Sequence, residues 1–114
     1  MEARNLNQGI HNHIAYQELM FDMHFDQVVK YFKDEFTSLL FSNTTLETMK
    51  LETIPGITVY VDYAVKGFDC MNIELLEVHI MNQDDEHLTK SETSLKNALQ
   101  EIVWEINGSE VCNA

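Results

Sequence analysis

Apolar residues recur at Phe21, Phe25, Val28, Phe32, Phe36 and Leu39, separated by four, three, four, four and three positions. That spacing stacks them on one stripe of an α-helix. Lys30, Lys33, Asp34 and Glu35 fall mainly off the stripe. The helical pattern begins at Ile14 and predicts one long helix, or two with a break near Asp22. Asp22 or Asp26 is placed to cap a start, because a carboxylate there accepts orphan backbone N–H bonds and favours the positive helix end. Ser42-Asn43-Thr44-Thr45 ends the pattern with side chains that compete for backbone bonds. Residues 1–13 are polar, rich in Asn and His, and read as a mobile lead-in.

The period then changes. Met49 and Leu51 alternate with Lys50 and Glu52, and Pro55-Gly56 follows Ile54. Proline sets φ at the second position of a type II turn and glycine accepts positive φ at the third. Ile57, Val59, Val61, Tyr63 and Val65 alternate with Thr58, Tyr60, Asp62, Ala64 and Lys66, the pattern of a strand with one buried face. Gly67-Phe68-Asp69-Cys70 reads as a second connection. A third strand follows as Met71, Ile73 and Leu75, then Leu76, Val78 and Ile80. The apolar phase slips by one between Leu75 and Leu76, which predicts a β-bulge there, or a twist that buries both faces.

Asn82 to His87 is a polar loop carrying Asp84-Asp85-Glu86. Thr89 and Glu92 have capping-box spacing. Leu95, Ala98, Leu99, Ile102, Val103 and Ile106 form the apolar face of a closing helix. Gly108 after Asn107 reads as its stop. The expected fold is α+β, a three-stranded antiparallel meander covered on one face by an N-terminal and a C-terminal helix, in the order α–β–β–β–α. The 114 residues read as a single domain, without internal repeat or dividing linker.

Charge narrows the possible partners. Nineteen acidic residues against seven basic ones leave a formal net charge of −12. Residues 1–66 hold nine Asp/Glu and five Lys/Arg, and residues 67–114 hold ten and two. Such a field repels nucleic acid and anionic membrane and attracts basic protein surfaces. Six Phe, four Tyr and one Trp argue against the disorder that often accompanies acidity. No apolar run is long enough to span a bilayer, and the polar start lacks the apolar segment of a signal peptide. Cys70 and Cys112 match no metal or redox spacing, and so few cysteines point to a reducing, cytoplasmic setting.

Catalytic patterns are sparse. His11 and His13 would face one metal only in an extended segment, and spacing places no third ligand; His24, His79 and His87 are scattered. A Cys70–Cys112 bridge is the minor reading of the two cysteines. Ser42, Ser91, Ser94 and Ser109 fall at caps, helix starts or the tail, where capping explains them. There is no glycine-rich phosphate loop. Glu74 and Glu77 flank the expected bulge, where a solvated pair is commoner than a catalytic one. Tyr16, Met20, Met23, Tyr31 and Phe41 lie partly off the first helix's stripe, widening the buried face or forming a contact patch. The expectation is a protein that is not an enzyme and uses neither cofactor nor metal.

Ile57-Thr-Val-Tyr-Val-Asp-Tyr, the Glu74–Ile80 strand and the acidic closing helix together resemble small proteins of tailed bacteriophages, over Ile54 to Gly108. In size and composition such proteins are similar to inhibitors of host defence, of the anti-CRISPR and anti-restriction kind. The resemblance implies a non-enzymatic inhibitor acting in a bacterial cytoplasm on the basic surface of a nucleic-acid-handling host protein, with carboxylates standing where DNA would present phosphates. Charge placement nominates Asp84, Asp85, Glu86, Glu92, Glu101 and Glu105 as contact residues. The alternative is a structural or adaptor protein that oligomerises through its aromatic first helix.

Overall fold

The computed structural model describes residues 2–39, 46–66 and 72–109. It is an α+β fold in the order α1 (Glu2–Met23), α2 (Phe25–Leu39), β1 (Leu46–Ile54), β2 (Ile57–Lys66), β3 (Asn72–Met81) and α3 (Thr89–Ser109). The three strands form one antiparallel meander with β2 in the centre.

The N-terminal helical region is two helices, and the break falls at His24. The His24 N–H bonds the Phe21 carbonyl at 2.9 Å, closing a tighter turn, while the His24 carbonyl accepts the Val28 N–H at 3.0 Å and opens α2. Asp26 lies in the first turn of α2, where its charge complements the helix dipole. Asp22 lies two residues before the break. The segment read as a lead-in falls within α1, which runs from Glu2. His11 and His13 both lie within α1. The proposed stop at Ser42–Thr45, the Gly67–Cys70 connection and the Cys70–Cys112 pair lie outside the described residues.

Pro55-Gly56 joins β1 to β2, and Gly56 has φ +84°, the value a type II turn needs at that position. A type II turn splays hairpin strands, and the β1–β2 register slips directly beside it, between Glu52 and Ile54. The bulge on β3 falls where the apolar phase slips. Asp62 pairs with Glu77 and Tyr63 with Leu75, leaving Leu76 as the extra residue. Ile73 and Leu75 before it, and Val78 and Ile80 after it, thereby all face the core.

Both helical regions cover one sheet face. Phe21, Val28, Phe32 and Phe36 from the first, and Leu95, Leu99, Val103 and Ile106 from α3, share a core with Val59, Val61 and Tyr63 of β2. Phe36 meets Tyr63 edge to face at 5.8 Å. The opposite sheet face carries Thr48, Lys50, Tyr60, Asp62 and His79. There Thr48 Oγ1 donates to Asp62 Oδ1 at 2.6 Å. Helix α3 does not stop before Gly108 but continues to Ser109, and among the described glycines only Gly56 has positive φ.

Candidate functional site

The corner where β3 turns into α3 is organised by one buried side chain, Asn82. Its Oδ1 accepts the Asp84 and Glu86 N–H groups at 2.9 and 3.0 Å, and its Nδ2 donates to Glu86 Oε1 at 3.0 Å and Gln17 Oε1 at 3.1 Å. The Asn82 N–H bonds the Glu86 carbonyl at 3.0 Å. Asparagine tolerates this role because its short amide mimics a backbone turn. Asp85 sits at φ +59°, a left-handed conformation that aspartate accepts more readily than most residues. The chain reverses, His87 bridges back to Met81, and the Leu88 N–H donates to the Ile80 carbonyl at 2.9 Å.

Glu92, in the first turn of α3, completes this corner. Its Oε2 accepts the Ile80 N–H at 2.9 Å and lies 2.6 Å from His87 Nδ1. The expected Thr89–Glu92 capping box is therefore replaced, because the carboxylate is drawn to the unpaired edge of β3. The first turn of α3 is instead capped from α1, where Glu18 Oε2 accepts the Lys90 N–H at 2.9 Å. His79 stands on β3 with its ring 5.6 Å from that of His87. The ligand atoms of His79, His87 and Glu92 all lie within 4.8 Å of one another. Two histidines and a carboxylate are a donor set suited to a transition metal.

The six nominated carboxylates do not form one patch. Glu86 and Glu92 hold the corner together from within. Asp84 and Asp85 are exposed at the turn. Glu101 and Glu105 are exposed on the outer face of α3. Twelve residues from Thr89 at the start of α3 to Glu101 correspond to about 18 Å along the helix, beyond the reach of screened charges. What sequence reasoning passed over is Trp104, which is 66% exposed beside Glu105 and one turn from Glu101. The signal was its absence from the apolar face of the closing helix. Glu74 and Glu77 each carry a lysine, Lys66 at 3.1 Å and Lys96 at 3.7 Å, and remain solvated.

The described groups whose protonation the fold shifts lie away from the corner. Burial, then a hydrogen bond and charge from Glu35, raises the Tyr31 phenol above its usual value. Burial, then the charges of Glu47 and Glu35, raises Tyr63. A cleft of about 500 Å³ between α1 and α3 is lined by Glu18, Asp22, Lys90 and Ser94, among others. Among the described residues no helix is long and apolar enough to cross a membrane. Compared with family models, curated proteins and solved structures, the chain gives no significant match.

Proposed function

We propose that this chain is a non-catalytic binding protein that inhibits a nucleic-acid-handling protein of a bacterial host by occupying its basic surface. The observation that carries this reading is Trp104, exposed on the outer face of α3 between two exposed carboxylates, Glu101 and Glu105. Tryptophan is costly to leave in water and is enriched where partners bind most tightly. Flanking carboxylates suit a partner surface of Arg and Lys, and the net charge of −12 steers such a surface toward the chain. Relief of the Glu101–Glu105 repulsion by a partner cation adds to the attraction. A role in blocking host defence follows from the resemblance to acidic phage proteins.

The test passes heparin-binding proteins of a bacterial lysate over the immobilised chain and titrates the retained protein across a salt series. Glu101→Gln with Glu105→Gln should flatten the salt dependence, and Trp104→Ala should weaken binding at every salt concentration. Equal affinity of the wild type and the triple variant would reject this face as the contact.

A second reading has an observation of its own. Tyr16, Leu19 and Met23, three and four residues apart on α1, are all exposed and form an apolar stripe. That stripe suits self-association through the first helix. Light scattering on Leu19→Glu separates the readings, since a dimer that dissociates in the variant supports the adaptor.

A further inference from the structure

We propose that His79, His87 and Glu92 form a binding site for one divalent transition-metal ion of the zinc class. The inference is independent of the partner reading above, because none of the three residues belongs to the outer face of α3.

Geometry is the first argument. Tetrahedral zinc holds nitrogen and oxygen ligands at about 2.0–2.2 Å, which places neighbouring ligand atoms roughly 3.3 Å apart. Here the three ligand atoms already fall within 4.8 Å of one another, with His87 Nδ1 and Glu92 Oε2 at 2.6 Å. Side-chain rotations of about an ångström complete the site. The ligands come from three elements whose backbones are already tied together. His79 is on β3, His87 is bridged to Met81, and the Glu92 N–H bonds the Leu88 carbonyl at 2.9 Å. Little ordering is left for the metal to impose.

The support around the ligands is the second argument. The Ile80 N–H donates to Glu92 Oε2 and orients the carboxylate, as the outer shells of metal sites do. The cluster is also open. The His87 side chain is 43% exposed and that of Glu92 16%, so an ion can enter and a fourth position is left to water. The ion would stand between His87 Nδ1 and Glu92 Oε2 in place of their direct contact. Two imidazoles and one carboxylate favour zinc, cobalt, nickel or copper over magnesium and calcium, which prefer oxygen alone. The negative field of the whole chain raises the local concentration of any cation.

The experiment uses the full chain without an affinity tag, stripped with a chelator and titrated calorimetrically with zinc chloride. One ion per chain should bind, and the melting temperature should rise with zinc concentration. His79→Ala and His87→Ala should each weaken zinc binding by more than the roughly 10–100-fold that loss of an outer-shell partner costs. In chelator His79→Ala should melt close to the wild type, and His87→Ala somewhat below it because it loses the 2.6 Å contact with Glu92. Glu92→Gln keeps an acceptor for the Ile80 N–H and should also lose zinc. His11→Ala with His13→Ala should leave the affinity unchanged. The cobalt complex should show the visible bands of a tetrahedral nitrogen–oxygen site. Absence of zinc binding, binding that survives His79→Ala and His87→Ala, or a cobalt–thiolate band from Cys70 or Cys112 would each overturn the assignment.

Discussion

Asn107 pairs with Ile73 in both directions across the gap between α3 and the free edge of β3. Its Oδ1 accepts the Ile73 N–H at 2.9 Å, and its Nδ2 donates to the Ile73 carbonyl at 2.9 Å. The side-chain amide thus stands in for a residue of a fourth strand. Glu92 and Leu88 serve the other end of the same edge through Ile80. An uncovered strand edge invites pairing with other chains, and α3 closes this one at two points.

Asn107→Ala should therefore destabilise the fold by about 2 kcal/mol, through two lost hydrogen bonds and a partly buried backbone left without partners. Asn107→Leu, which keeps the volume, should cost about as much. Amide exchange at Ile73 should quicken in both variants. Full protection of that amide in Asn107→Leu would show that packing, not pairing, holds the edge.

Asn107 also marks where the sequence stops being legible. Asn-Gly at the end of an apolar face reads as a helix stop, a local rule. Its actual role depends on which strand lies at the sheet edge, and no local rule carries that. The bulge at Leu76 was legible for the opposite reason, since a period of two makes a slip of one residue visible. The break before α2 was legible to within a turn, at His24 against Asp22. The corner cluster was not. His79, His87 and Glu92 are eight and five residues apart and match no helical or strand period. They meet because Asn82 reverses the chain, and the advance sign was the polar loop from Asn82 to His87. Glu92 has a charge and a capping-box spacing from Thr89, but its carboxylate turns to the Ile80 N–H and to His87.

Gly56 combines two constraints that separate variants resolve. Its φ of +84° is costly for an L side chain, and an added Cβ would come within 2.8 Å of Gln83 Cγ. Gly56→Ala should lower stability by about 1–2 kcal/mol from the backbone alone, with a further loss from the contact. Gln83→Ala should recover only the contact part. A double-mutant cycle with no coupling would mean that Gln83 moves aside freely.

Phe32 is fully buried and meets Tyr31 edge to face at 5.2 Å. Phe32→Ala should cost about 3–5 kcal/mol, because the rigid neighbours cannot collapse into the space. Chemical denaturation measures it directly. A midpoint close to wild type would remove the aromatic stripe of α2 from the core.

Tyr63 links the core to pH. Burial, then the charges of Glu47 and Glu35, hold its phenol above its ordinary value. As pH rises past the unfolded value, the unfolded chain gives up this proton first. It then binds fewer protons than the folded chain, so stability falls with pH. The contribution is complete below the unfolded value and is lost as pH climbs through the folded one. Tyr31 acts with the same sign. Tyr63→Phe keeps the ring against Phe36 and removes the ionisable group. Unfolding free energies at about pH 9 and about pH 11 should diverge less in this variant than in wild type, with part of the slope left to Tyr31. Identical slopes in wild type and Tyr63→Phe would show that the phenol ionises as easily in the folded protein as in the unfolded chain, and that the alkaline loss arises elsewhere.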